Sequence, residues 1–154
     1  VVCTTVSTMV CHSPAPFDGQ VCPHSSGNAD TVRVVWETSA TSAADLIRLF
    51  FEIHDPTQVG GQGNDIGDQY RSQIWTTTPD QLRVGQALRE AYQEVLSARG
   101  FGPIQTVISP APSTESNARF WLAEEYHQQY LAKNPGGYEC HARTGVACPA
   151  LPHE

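Results

Sequence analysis

Basic residues are scarce in this chain of 154 residues. Lysine and arginine together number nine, against 16 acidic residues, and Lys133 is the single lysine, so the formal net charge is −7. Proteins that bind nucleic acid need clustered lysine and arginine side chains to neutralise phosphates. The composition therefore argues against a nucleic-acid-binding function.

Long hydrophobic runs are also missing. No apolar run approaches the roughly 18 residues that a membrane-spanning helix needs. The opening segment, "VVCTTVSTMVC", lacks the charged start of a secretory signal peptide. We therefore expect a soluble, cytoplasmic protein that does not bind a membrane. Because the chain begins with Val1 and not with Met, we expect a processed chain or a fragment.

What the chain does contain is enough apolar material for a core. Hydrophobic residues make up 40% of the sequence, and three of them are tryptophans. This content argues against disorder. A chain of this length suits one domain rather than two. We therefore predict a single domain over residues 1–154.

Capping residues mark two helices. "SAADLIRLFFEIH" begins at Ser42, a good N-cap with Asp45 three residues later, and its apolar residues predict a buried face formed by Leu46, Leu49, Phe50 and Ile53. The second helix follows the cap Thr78, with Pro79 at its first position, Gln81 closing a capping box and Gly100 at its end.

Strands and loops are predicted between and around these helices. "ADTVRVVWE" and "GPIQTVISPA" favour strands, and "QGNDIGDQYRSQIW" favours a loop that leads into a strand. "EEYHQQYLAKN" predicts a short helix, which would place Tyr126 and Tyr130 on one face. Residues 135–154 are rich in glycine and proline and predict a flexible, cysteine-bearing tail. Alternating helices and strands in one domain indicate an α/β or α+β class.

Three blocks of the sequence resemble the signatures of peptide methionine sulfoxide reductase A. They are "FFEIHDPTQ", "GQGNDIGDQYRSQIW" and "AEEYHQQYLAKNPGGY", in the family's order, followed by a tail "TGVACP" like the family's. The resemblance implies a two-layer α/β sandwich with a mixed sheet, related to ferredoxin-like domains. It also implies thiol-dependent reduction of methionine (S)-sulfoxide, free or in peptides. The implied reductant is thioredoxin or another thiol, with no bound cofactor or metal, and the implied state is a monomer.

The resemblance also implies roles for acidic and aromatic residues. Tyr70 would donate a hydrogen bond to the sulfoxide oxygen, and Asp65 would organise the polar groups of the pocket. Asp30 stands where the family has a glutamic acid that protonates the departing oxygen. Pocket support would come from three residues of "EEYHQQY", namely Tyr126, His127 and Tyr130.

The five cysteines leave several interpretations open. The resemblance implies that Cys140 and Cys148 resolve and recycle an oxidised nucleophile, but a structural disulfide between them is about equally plausible. Cys22 is a possible substitute nucleophile beside His24, although we favour a half-buried loop thiol. A zinc site formed by Cys140, His141 and Cys148 with Cys22 or His24 matches no standard ligand spacing.

One family feature does not occur in these 154 residues. The family's nucleophile lies in a Gly-Cys-Phe-Trp-Gly segment, which this sequence lacks. We therefore expect the N-terminal strand and helix of the domain to be missing. The alternatives to an active reductase are a non-catalytic module that binds methionine sulfoxide and an inactive truncated isoform.

Overall fold

A computed structural model of the chain describes residues 3–10, 29–112, 119–139 and 142–152, with side chains omitted at 3–10 and 119. The described strands are β1 Cys3–Val10, β2 Ala29–Val35, β3 Gly61–Gln62, β4 Asp65–Ile66, β5 Gln73–Thr76, β6 Val107–Pro110 and β7 Arg119–Leu122. The described helices are α1 Ala43–Glu52, α2 Pro79–Ser97 and α3 Tyr130–Lys133, with a 3-10 turn at Asp68–Tyr70. None of the described helices is long and apolar enough to cross a membrane.

The strands form three small sheets. β1 lies between β2 and β7 in an antiparallel sheet, β3 pairs with β4 as a hairpin, and β5 pairs with β6 in parallel. The sequence pattern predicts β2, β5 and β6 but neither β1 nor β7. In β1, "CTTVSTMV", threonine and serine stand among the apolar residues and weaken the alternation that marks a half-buried strand.

The helix ends follow the predicted caps with one difference. Asp45 N–H donates to Ser42 Oγ (3.1 Å) and Ser42 N–H donates to Asp45 Oδ2 (3.2 Å), which is the predicted capping box of α1. At α2, Gln81 N–H donates to Thr78 Oγ1 (3.2 Å) as predicted. The Gln81 side chain reaches one residue further back than predicted, because its Oε1 accepts from Thr77 N–H (2.8 Å).

The buried face of α1 differs from the predicted one. Ile47 and Phe51 are buried, whereas Leu49 and Ile53 are about half exposed. α2 supplies Leu88, Tyr92 and Leu96, one helical turn apart, and the rest of the core comes from Ile104, Val146 and Cys148. The prediction of a Leu49 and Ile53 face is wrong because six of the eight residues of Leu46–Ile53 are apolar, so helical periodicity alone permits more than one apolar stripe.

The predicted helix at "EEYHQQYLAKN" is shorter than expected. Residues 125–129 are turns, and only Tyr130–Lys133 form a helix, since Gln129 has a left-handed φ of 53°. A left-handed residue interrupts helical spacing. Tyr126 and Tyr130 therefore do not share a helical face, and that prediction is wrong.

Candidate functional site

The β3–β4 hairpin carries Asp65, one of the predicted pocket residues. Gln58 holds its turn, donating from Nε2 to Gly63 O (3.0 Å) and accepting from Gly63 N–H at Oε1 (2.7 Å). Gly61 is buried opposite Ile66, where a Cβ atom would clash with the backbone oxygen of Asp65. The hairpin therefore depends on the glycine at 61 to keep the strands close together.

Asp65 receives a hydrogen bond from a distant tyrosine. Tyr138 Oη donates to Asp65 Oδ2 at 3.1 Å, across 73 residues of sequence. Tyr138 was not predicted as a site residue, although it closes the block "AEEYHQQYLAKNPGGY". The contact joins the Asp65 carboxylate to the segment that precedes Cys140 in the sequence. The one hydroxyl proton of Tyr138 is used in this bond, so the pair offers acceptor oxygens to further hydrogen-bond donors.

Tyr70 lies at the end of the 3-10 turn that follows β4. Tyr70 N–H donates to Gly67 O (3.0 Å), and Arg71 Nη1 donates to Asp68 O (2.8 Å). Gly67 has a φ of 150°, and a Cβ there would clash with the Gln69 side chain. The turn packs against β2 and against β3 of the hairpin. The fold therefore brings the Tyr70 turn, the Asp65 hairpin and the strand of Asp30 together.

Asp30 lies on β2 with an exposed side chain. Its backbone pairs with residue 8 of β1, and residue 8 also pairs with Trp121 of β7. Residues directly opposite each other across a sheet project to the same face. Asp30 and Trp121 therefore share one face of the sheet. The role of Asp30 as a proton donor stays a prediction.

The remaining predicted pocket residues lie around α3. The Tyr130 ring contacts the backbone at Gly137, where a Cβ atom would lie 2.8 Å from Tyr130 Cε1. Tyr130 thereby supports the chain beside Tyr138. The rings of Tyr126 and His127 lie 4.3 Å apart, and their participation in the pocket stays a prediction.

Comparison with known proteins decides the family. The family model described as "Peptide methionine sulfoxide reductase" matches residues 1–151. The chain belongs to the peptide methionine sulfoxide reductase family. The reductase MsrA of Azorhizobium caulinodans is 46% identical over 147 residues, which are 95% of this chain and 64% of the relative. The mitochondrial peptide methionine sulfoxide reductase of Homo sapiens is 46% identical over 134 residues, which are 87% of this chain and 54% of the relative.

Solved structures confirm the predicted fold class of this reductase family member. Methionine sulfoxide reductase A of Corynebacterium diphtheriae has a TM-score of 0.81 at 37% identity, covering 99% of this chain and 73% of that one. Reduced Mxr1 of Saccharomyces cerevisiae has a TM-score of 0.77 at 31% identity, and the match covers 91% of this chain and 75% of that one. The chain thus spans less than two thirds of the length of the two curated relatives named above and about three quarters of each of these solved chains.

Cys148 is the cysteine of this family member whose side chain the structure describes. It is 1% exposed within the core, and burial raises the pKa of its thiol to about 11. A thiol with such a pKa is almost fully protonated at neutral pH, and the thiolate is the reactive form. Cys148 therefore does not suit the attacking role in this conformation.

The other predicted thiol sites lie outside the described residues. Cys22 and Cys140 are among these, as are His24 and His141 of the zinc alternative, so their roles stay predictions. Among the side chains that the structure does describe, no three histidine, cysteine, aspartate or glutamate residues are grouped as a metal ion would require.

The buried side chains of His54, Ser72 and Thr106 form a hydrogen-bonded network that is structural. His54 Nδ1 donates to Phe50 O (2.7 Å), His54 Nε2 accepts from Ser72 Oγ (2.8 Å), and Thr106 Oγ1 donates to Ser72 Oγ (2.7 Å). A serine and a histidine in contact can form a nucleophilic pair. Here all three side chains are buried. Their hydrogen bonds link the end of α1 to the segments that enter β5 and β6.

The buried histidine predicts a dependence of stability on pH. Burial lowers the pKa of His54 below its ordinary value of 6.5, so the folded protein favours the neutral ring. The unfolded chain then binds more protons at acidic pH. We expect the free energy of unfolding to fall as the pH drops below about 6.5, by at most about 1.4 kcal/mol per pH unit from this group.

Urea unfolding measures this effect when it is repeated from about pH 7.5 to about pH 5.5, a range that brackets the ordinary pKa of histidine. The His54→Gln variant should show a smaller slope against pH than the unmodified protein, whatever its absolute stability. Equal slopes in the two proteins would contradict the prediction.

Proposed function

We propose that the protein containing this chain reduces methionine (S)-sulfoxide, free or in peptides, to methionine with thiols as the source of electrons. Family membership supports the reaction. The hydrogen bond between Tyr138 and Asp65, beside the turn of Tyr70, is the structural observation that supports a sulfoxide pocket here. Because this chain spans only part of its relatives, the proposal concerns the complete protein.

The chemistry explains the residue types at the pocket. A cysteine thiolate attacks the sulfoxide sulfur, one proton is taken up by the oxygen, and the products are methionine and a cysteine sulfenic acid. The Tyr70 hydroxyl donates a hydrogen bond to the sulfoxide oxygen, where negative charge develops. Asp65, which accepts a hydrogen bond from Tyr138, organises the polar groups of the pocket. Asp30 supplies the proton.

Recycling then consumes the sulfenic acid. The thiol of a second cysteine condenses with it to give a disulfide and one water molecule. A thioredoxin-type dithiol reduces that disulfide by thiol exchange and is itself oxidised. Cys140 and Cys148 are the proposed participants, and Cys148 must leave its buried position to act.

A binding module is the second candidate for the chain alone. The 154 residues hold Asp65 and Tyr70 but no Gly-Cys-Phe-Trp-Gly segment. Such a chain would bind an oxidised methionine peptide without reducing it.

An assay with both polypeptides tests the two candidates. The complete protein and the 154-residue chain are incubated separately with a methionine (S)-sulfoxide peptide and dithiothreitol, and loss of oxygen is followed by mass spectrometry. We expect the complete protein to convert the S epimer and leave the R epimer. A folded complete protein without turnover would contradict the reductase proposal.

The 154-residue chain separates the remaining interpretations. Saturable binding without turnover supports the module. Turnover that Cys22→Ser abolishes would assign the attacking sulfur to Cys22 and rule out the module. Turnover unaffected by each single Cys→Ser change would exclude a thiol mechanism within the chain.

A further inference from the structure

The end of the block "FFEIHDPTQ" is a tightly bonded turn. Asp55 Oδ1 accepts from Thr57 N–H (2.9 Å) and from Thr57 Oγ1 (2.7 Å). Gln58 N–H donates to Asp55 O (3.3 Å). Pro56 is fully buried, and its backbone oxygen accepts from the N–H of Gln105, just before β6 (2.7 Å). The turn therefore gives the side chain of Gln58 a fixed base.

The Gln58 side chain binds the tip of the β3–β4 hairpin through both of its polar atoms. Nε2 donates to Gly63 O (3.0 Å), and Oε1 accepts from Gly63 N–H (2.7 Å). A carboxamide suits this task because it presents a neutral donor and an acceptor side by side. Gly63 has a φ of 56°, which glycine adopts without strain. One side chain thus satisfies both backbone groups of the residue at the tip.

The hairpin has few hydrogen bonds of its own. β3 and β4 are two residues each, and one further bond closes the ladder, from Gly67 N–H to Gly60 O (3.0 Å). A two-stranded hairpin is marginally stable without outside contacts. The two bonds from Gln58 tie this hairpin to the buried turn at Gly63, two positions before Asp65.

Two distant side chains therefore fix the position of the Asp65 carboxylate. Tyr138 binds the carboxylate itself (3.1 Å), and Gln58 binds the backbone of the hairpin from which that carboxylate projects. A displacement of about 1 Å at a reacting centre can cost about 100-fold in rate. Loss of the Gln58 bonds would leave the hairpin free to make such displacements.

We propose that Gln58 is a positioning residue for the reaction, because it fixes the hairpin that carries Asp65. The role in the reaction rests on the proposed function. The hold on the hairpin does not, because it can be measured without turnover.

Amide hydrogen exchange, followed residue by residue by NMR, tests the hold in the 154-residue chain. In Gln58→Ala, protection at Gly63 and Gly67 should fall at least about tenfold, because the hairpin loses both bonds to the turn. Protection in the interior of α2, at Leu88, should stay unchanged, which shows that the fold is intact. Gln86→Ala is the matched control, since Gln86 is an exposed glutamine on α2. Its hairpin protection should equal that of the unmodified chain.

Gln58→Glu tests whether both atoms of the side chain are used. A protonated carboxyl group can donate to Gly63 O and accept from Gly63 N–H, as the carboxamide does, whereas a carboxylate has no donor. Protection at Gly67, relative to Gln58→Ala at the same pH, should therefore be restored near about pH 4.5 and lost near about pH 7. The comparison at equal pH removes the effects of all other titrating groups. Equal protection in the two variants at both pH values would contradict the two-bond contact.

Steady-state kinetics of the complete protein test the role in the reaction. Gln58→Ala should lower kcat/KM for a methionine (S)-sulfoxide peptide about 10- to 100-fold. Gln86→Ala should stay within about twofold of the unmodified protein. Because Gln58 is proposed to act through Asp65, Gln58→Ala should cost at most about twofold more when Asp65→Asn is already present. A residue that only stabilised the fold would not show this dependence.

The outcomes separate the two parts of the proposal. Unchanged exchange at Gly63 and Gly67 in Gln58→Ala overturns the hold on the hairpin. An unchanged kcat/KM in Gln58→Ala, or losses that multiply with that of Asp65→Asn, overturns the positioning role. A complete protein without turnover contradicts the reductase proposal instead, and the exchange data still decide whether Gln58 holds the hairpin.

Discussion

Phe51→Ala is expected to lower the free energy of unfolding by about 3–5 kcal/mol. Phe51 is 0% exposed, and its ring contacts those of Phe50 and Tyr92 with centroids 5.7 Å away in each case. Truncation removes this contact surface and leaves a cavity between α1 and α2. Urea unfolding followed by circular dichroism measures the loss.

Leu49→Ala on the same helix is the matched control. Leu49 is 52% exposed, so its truncation removes little buried surface and should cost less than about 1 kcal/mol. Helical periodicity predicts that Leu49 belongs to the buried face, whereas the structure places Phe51 there. Equal losses in the two variants would contradict the observed orientation of α1.

Tyr70→Phe in the complete protein is expected to reduce kcat/KM for methionine (S)-sulfoxide about 100- to 1000-fold. The substitution removes the hydroxyl that is proposed to bind the sulfoxide oxygen but keeps the ring. The loss should fall mainly on kcat, because negative charge on the oxygen develops in the transition state. Steady-state kinetics with a methionine (S)-sulfoxide peptide give both constants.

Asp68→Asn is the control for this variant. Asp68 lies on the same 3-10 turn with an exposed side chain, and the described hydrogen bonds at this residue use its backbone oxygen. Its kcat/KM should stay within about twofold, as expected for an exposed surface change. A loss in Asp68→Asn equal to that in Tyr70→Phe would show that the turn as a whole matters, and the Tyr70 hydroxyl would have no special role.

Local features of this chain could be predicted from its sequence because they depend on neighbouring residues. The Ser42 cap forms bonds only three residues apart, and Thr78 does the same at α2. The motif "GNDIGDQY" likewise lies within one hairpin and the turn that follows it, while the pocket roles of Asp65 and Tyr70 come from the family resemblance and stay predictions. The family resemblance added the chemistry, which spacing alone does not supply.

The hydrogen bond to Asp65 could not be predicted from the sequence. Its donor, Tyr138, is 73 residues away, and no local pattern pairs the two. The same holds for Cys148, which is bonded to Glu52 across 96 residues. A glycine- and proline-rich composition predicts a flexible tail, yet residues 142–152 are seated on the core by side chains of α1 and α2.

The amino-acid sequence by itself determined the helix caps and the family. Each of these is encoded in short segments whose bonds close within a few residues. Only the tertiary structure decided which face of α1 is buried, that Tyr138 holds Asp65, and that Cys148 is enclosed in the core. These outcomes depend on contacts between segments that are distant in the sequence, and such contacts form only when the whole chain packs.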